Sequence, residues 1–148
     1  QARVLIIMRK LDHSAIFVMI AGSFTPICLL VLPGDTGIQL LFIVWIIAGI
    51  GILQTILFTQ TPRLIRAGIY LVAGYMAVPY LSVMFSMMSM TNFTLTAAGG
   101  TIYTFGAIGY GFKFPDISPK YFGYHEVFHI LVAIAAVLHF IVIYSIVG

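Results

Sequence analysis

His125-Glu126-Val127-Phe128-His129 places two imidazoles four residues apart at the start of an apolar run. In a helix of about 3.6 residues per turn, positions i and i+4 share a face, offset by about 40° and about 6 Å of rise. Two imidazoles so placed can hold one zinc ion, and a neighbouring carboxylate can serve its chemistry. A catalytic zinc takes three protein ligands and a water, so a further group must come from another helix. Asp12 is the best carboxylate in the chain for that position. It would ligate directly, or hold and deprotonate a zinc-bound water.

Other residues are candidates to support the ligands or to line a cavity: His13, Ser23, Tyr103, Glu126 and His139. Ser23 lies eleven residues after Asp12, on nearly the same helix face and about 16 Å deeper. Met19 and Gly22 lie on the face between them, so a cavity would extend upward from the metal. His139 is ten residues past His129, about 15 Å deeper and rotated by about 80°, so it cannot share a metal with His129 on one straight helix. It would line the cavity or hydrogen-bond across helices. Gly99, Tyr103, Gly106 and Tyr110 are spaced by four, three and four residues and form one stripe.

Plainer roles compete with each of these. Asp12 would serve as an N-cap, since Asp suits a helix start. His13 at a membrane edge would be interfacial rather than a ligand. His139 would be a structural hydrogen-bonding residue, and the Gly-Tyr stripe a packing face. Glu126 points about 100° away from His125, as a solvated group or a support for the ligands. Cys28 and the methionines would be ordinary lipid-facing or core residues. The HExxH pattern alone is weak; its coincidence with Asp12 at one membrane depth carries the metal reading.

That depth follows from the elements. The chain has 148 residues, 61% hydrophobic and 7% charged, with mean hydropathy +1.12. A soluble domain carries about 25% charged residues. The expected class is therefore an all-α integral membrane protein, a single polytopic bundle over 1–148. Five spans are expected, near 14–32, 38–59, 67–90, 95–111 and 124–147. The fourth is the weakest, being short and rich in glycine. Pro33-Gly34-Asp35, Thr61-Pro62-Arg63 and Lys113-Phe114-Pro115-Asp116 mark turns between spans. Pro26 and Pro79 fall within spans and would kink or open them unless neighbours compensate.

All seven Lys and Arg fall in alternate connections: Arg3, Arg9 and Lys10, then Arg63 and Arg66, then Lys113 and Lys120. By the positive-inside rule the chain starts in the cytoplasm and ends outside. Asp12, His13, His125, Glu126 and His129 then share the cytoplasmic mouth of the bundle. Ionisable groups inside spans are costly and therefore functional suspects. The net charge of +3 reads as topology, and no basic stripe for nucleic acid is present. The opening residues lack the pattern of a signal peptide, and Gln1 suggests that upstream sequence is missing. One cysteine cannot form an internal disulfide.

Leu11-Asp12-His13-Ser14-Ala15-Ile16-Phe17, followed by Ala21-Gly22-Ser23-Phe24-Thr25-Pro26, resembles the third helix of the hemolysin III proteins. Gly99-Gly100-Thr101-Ile102-Tyr103-Thr104-Phe105-Gly106 resembles their sixth. His125-Glu126-Val127-Phe128-His129 and Leu138-His139-Phe140 resemble their seventh. The resemblance spans essentially the whole chain in the family order. These proteins belong with the progestin and adipoQ receptors, which include the adiponectin receptors. The resemblance implies a seven-helix bundle in a bacterial inner membrane, cytoplasmic at its start and external at its end. It also implies zinc held near the cytoplasmic side by three histidines. His125 and His129 would be two of them, and Asp12 would bind the zinc-associated water. The third belongs to a Ser-xxx-His motif on the second helix, just upstream of the Leu-Asp-His run. No such histidine precedes Asp12 here, so the chain reads as helices three to seven of a truncated member. The adiponectin receptors carry Gln where this chain has Glu126, which does not favour Glu126 as an essential base.

The expectation is thus a zinc-dependent hydrolase of a membrane lipid amide or ester, with no nucleic-acid partner. Ceramidase-type activity, haemolysis and membrane-lipid homeostasis are the family associations. An intramembrane HExxH protease needs a further ligand on a later helix, but this motif opens the last one. The stronger rival is a channel, pore-former or receptor in which zinc is structural.

Overall fold

The computed structural model describes residues 2–58, 61–116 and 123–148. Lys120, counted above among the orienting charges, lies outside them. Every regular element among the described residues is helical: α1 (Ala2–Leu30), α2 (Gly34–Leu57), α3 (Arg63–Tyr75), a 3-10 turn (Val78–Tyr80), α4 (Leu81–Met87), α5 (Met90–Phe112) and α6 (Tyr124–Val147). Arg3–Leu30, Gly34–Leu57, Arg63–Met87 and Tyr124–Val147 are long and apolar enough to cross a membrane. The fourth expected span is less apolar but longer than its sequence suggests. Its helix has 23 residues, about 34 Å. Ser89 starts it early by accepting the Asn92 N–H at 3.2 Å.

The surface confirms the solvent. Leu57, Phe42, Phe140 and Tyr144 are all more than 60% exposed, and they sit on helices whose backbone bonds are satisfied internally. Such a surface suits hydrocarbon.

Neighbouring helices pair as α1 with α2, α5 with α6, and α3 with α5, while α1 also touches α3 and α6. Small residues set these contacts, as expected where lipid removes the hydrophobic drive between helices. A Cβ on Gly51 would lie 2.3 Å from the Phe17 ring, so α2 receives that ring as a knob. Trp45 Nε1 donates to Thr25 Oγ1 at 3.1 Å across the same pair. Lys10 Nζ donates to the Ile56 carbonyl at 2.7 Å, tying the end of α2 to α1. The turn from α1 to α2 needs glycine, since Gly34 has φ +51°.

Two expectations about element ends are corrected. Helix α1 begins at Ala2, twelve residues before its expected start, because no breaker separates Arg3, Arg9 and Lys10 from the apolar run. Asp12 is therefore in a helix interior and is not an N-cap. Likewise α3 starts at Arg63 directly after Pro62, so Arg63 and Arg66 are in its first turn and not in a loop. The two internal prolines behave differently. Pro26 is accommodated within α1. Pro79 marks a break, and the third span is two helices joined by a 3-10 turn.

Candidate metal centre

Helices α1 and α6 meet at the end of the bundle where α1 and α3 carry their cations. There Asp12 faces the two histidines of α6. His125 Nε2 is 3.4 Å from Asp12 Oδ2, and His129 Nε2 is 3.2 Å from Asp12 Oδ1. The two imidazole Nε2 atoms are 3.1 Å apart, with their rings edge-to-face at 86°. All three side chains are about a third exposed, at 31%, 37% and 38%.

The spacing is informative. Zinc bonds nitrogen and carboxylate oxygen at about 2.0–2.1 Å, so the corners of its tetrahedron lie about 3.3 Å apart. The three donor pairs measure 3.1, 3.2 and 3.4 Å. One carboxylate and two neutral imidazoles are also a suitable donor set. The residues fit a zinc ion, with Asp12, His125 and His129 as one face of its coordination shell.

His13 is buried, at 4% exposure, rather than interfacial. Its Nδ1 lies 2.7 Å from the Arg9 carbonyl. A carbonyl only accepts, so Nδ1 carries the proton and Nε2 is an acceptor. The Tyr110 hydroxyl, 3.0 Å from Nε2, donates to it. Tyr110 in turn accepts from Arg66 Nη1 at 3.4 Å. Arg66 is itself 7% exposed. Tyr70 adds a bond from its hydroxyl to the His13 carbonyl at 3.3 Å. This chain of donors locks α1 to α3 and α5 one residue from Asp12. From sequence Tyr110 is expected only as part of a stripe, and Arg66 only as an orienting charge. A buried arginine two positions before Tyr70's own helical neighbour Gly68 carries no local signal of its role.

Tyr110→Phe should leave both His13 Nε2 and Arg66 Nη1 buried without a partner. We expect a loss of about 2 kcal/mol in unfolding free energy and about a tenfold loss in zinc affinity. Thermal unfolding and a competitive zinc titration measure the two. Tyr124→Phe, which removes the partly exposed Arg63 Nη1–Tyr124 bond of 2.8 Å, should cost less than half as much.

The remaining candidates are placed apart from this cluster. Glu126 lies outside the cavity lining, and its Oε2 accepts the Gly123 N–H at 3.0 Å and caps α6. Ser23, Tyr103 and His139 line a cavity of about 350 Å³ in the middle of the bundle. The wall from α1 is Ile16, Ile20, Ser23, Phe24 and Ile27, not Met19 and Gly22. Ile16 and Ile20 follow Asp12 at successive spacings of four and so lie on its own helix face. Asp12, His125 and His129 are not part of the cavity lining. Tyr70 and Phe128 line it and also abut the site, Phe128 lying 5.6 Å from the His129 ring and Tyr70 stacking on Phe128 at 6.1 Å.

The Gly-Tyr stripe of α5 combines packing with lining. A Cβ on Gly99 would sit 2.5 Å from His139 Nε2, and one on Gly106 would meet Phe128 and Leu131 at 3.4 Å. The glycines admit α6, while Tyr103 and Tyr110 face the cavity and the His13 network. Cys28 is a core residue at 2% exposure.

Comparison with known proteins agrees with this architecture. The profile of the family described as haemolysin-III related matches residues 1–140. A hemolysin-3 homolog of Bacillus subtilis is 38% identical over 107 residues, covering 72% of this chain and 50% of that protein. Hemolysin-3 of Bacillus cereus is 38% identical over 100 residues, covering 66% and 45%. The human monocyte to macrophage differentiation factor is 29% identical over 134 residues, covering 90% and 53%. The chain spans about half the length of the curated relatives it matches. No solved structure shows a significant match. The chain belongs to the haemolysin-III-related family.

Proposed function

We propose, from that membership and the geometry of the site, that the protein is a zinc-dependent hydrolase of membrane lipids. The observation that carries this reading is the triangle of donors from Asp12, His125 and His129, whose edges match those of a zinc tetrahedron. Zinc held there would polarise an acyl carbonyl and make a bound water acidic enough to attack near neutral pH. The net reaction adds water across an amide or ester, giving a free acid and an amine or alcohol.

The chain's own residues supply the remaining functions. His125 and His129, one turn apart on α6, fix the metal end of the site. Asp12 faces both and is the one carboxylate in position to orient a water and take its proton. The Arg66–Tyr110–His13 chain holds the α1 turn that carries Asp12. The apolar cavity next to the site receives the lipid chain. With its basic residues at the site end, the protein would sit in a bacterial inner membrane with that end cytoplasmic.

One observation favours a second reading. Asp12 contacts both imidazoles and so occupies a ligand corner itself. A further histidine ligand, as the family resemblance implies, would then close the shell and make the zinc structural, in a receptor or pore.

Metal content and lipid-amide hydrolysis, measured side by side for the purified protein, His125→Ala and Asp12→Asn, separate these readings. The hydrolase reading predicts stoichiometric zinc in the parent, loss of zinc in His125→Ala, and, for Asp12→Asn at saturating zinc, at least a hundredfold slower turnover per bound zinc. A parent that holds zinc but turns over no amide or ester supports the structural reading. A parent that never binds zinc overturns both.

A further inference from the structure

The cavity holds a second polar feature, remote from the metal ligands. His139 is 7% exposed, and its Nε2 lies 3.2 Å from the Thr96 carbonyl. Because a carbonyl only accepts, Nε2 carries the proton and Nδ1 is left as a bare acceptor. Nδ1 is buried and has no hydrogen-bond partner. Tyr103, whose ring centroid is 5.7 Å from that of His139, also has a buried hydroxyl without a partner. Both side chains line this cavity, as does Ser23 of α1, whose hydroxyl lies near that of Tyr103 without making a hydrogen bond to it.

Orphaned groups of this kind are costly in an apolar interior. They come from different helices, α5 and α6, and Gly99 keeps His139 seated: any larger residue there would strike its ring. Most of the rest of the wall is apolar, with Ile16, Ile20, Met84 and Val132 among its members, and the hydroxyls of Thr96, Thr101 and Thr104 are bonded to carbonyls of their own helix. Tyr75 and Phe105 on the rim are 51% and 65% exposed, so the cavity borders the lipid-facing surface between α3 and α5.

We infer that Tyr103 and His139 form a hydroxyl-recognition site, selecting an aliphatic ligand that carries a hydroxyl group within its apolar part. The donor count calls for a group that both donates and accepts, which a hydroxyl does from a single atom. His139 Nδ1 needs a donor, and the Tyr103 hydroxyl can give a hydrogen to an acceptor. A ligand hydroxyl is both at once, donating to Nδ1 and accepting from Tyr103. A ketone or ester carbonyl cannot donate and leaves Nδ1 orphaned. A purely aliphatic chain leaves both orphaned. The inference concerns occupancy of the cavity and does not require that the protein be a hydrolase.

The test is equilibrium binding of radiolabelled stearic acid and of its mid-chain hydroxylated analogue to the protein in lipid nanodiscs. Two neutral hydrogen bonds to groups otherwise unsatisfied should favour the hydroxylated chain by about tenfold or more. Tyr103→Phe and His139→Phe each keep an aromatic ring and remove one partner. Both should bring the preference to within about threefold of unity. Circular dichroism melts show whether each variant is folded, and Tyr103→Phe, which removes a single oxygen, stands alone if His139→Phe is not. Equal affinity of the parent for the two chains would overturn the inference and leave the polar pair to a trapped water. A preference that survives in Tyr103→Phe would overturn it as well.

Discussion

Replacing His129 with alanine should lower the affinity for zinc by more than about a hundredfold. The expectation follows from the triangle of donors. His129 Nε2 is within 3.2 Å of Asp12 Oδ1 and within 3.1 Å of His125 Nε2, so its loss removes one of three corners. The two that remain, one imidazole and one carboxylate, are too few for a tight zinc site. His139 cannot substitute. It is ten residues further along α6 and engaged at Thr96 and Gly99. His13 cannot either, because its Nδ1 proton and its Nε2 lone pair are both committed. Competitive titration with a chromogenic chelator gives the affinity. An unchanged zinc affinity in His129→Ala would mean that the ion sits elsewhere.

The largest stability effect should come from Gly37→Ala. In the first turn of α2, a Cβ at this position would lie 2.0 Å from the Cys28 carbonyl oxygen and 3.1 Å from that of Leu32. Both atoms are backbone, so no rotamer change relieves the overlap. Relief requires α1 and α2 to separate at their joined ends, which loosens Val31, Leu32 and Leu40, all buried there. Overpacking of this kind costs about 3 kcal/mol or more, a large share of a typical folding free energy. Gly49→Ala in the same helix is the control. Nothing lies within 4 Å of its Cβ position, so the substitution should be neutral or stabilise by up to about 1 kcal/mol. Thermal unfolding of both variants in one detergent makes the comparison. Equal melting behaviour would show that the α1–α2 contact is looser than described.

The pairing of His125 with His129 was legible because one helical turn fixes it. Asp12 was legible because topology alone places it at the same depth. What the sequence could not show is lateral position. Whether Asp12 points at α6 or at lipid depends on the rotation of α1, which the contacts of Phe17 with Gly51 and Tyr70 decide. Arg66 and Tyr110 are 44 residues apart, and nothing local announces that the arginine is buried. The turn at Thr61-Pro62 suggested a loop for Arg63 and Arg66, because proline punctuates without saying where the next helix begins. Proline can precede the first turn at little cost, and here the helix starts at once. Glu126 was ambiguous for a similar reason: the third position of a helix serves a cap and a metal motif equally well, and the choice rests on where the chain enters α6. The third span looked continuous in hydropathy, and only the backbone reveals its break near Pro79.

The central claim is that Asp12, His125 and His129 hold one zinc ion. X-ray absorption at the zinc edge of the purified, metal-loaded protein tests it most directly. The expected result is one zinc per chain with two imidazole nitrogens and at least one oxygen at about 2.0–2.1 Å, and loss of the imidazole signal in His125→Ala. A zinc shell that is unchanged in that variant, or a parent protein that retains no zinc, would contradict it.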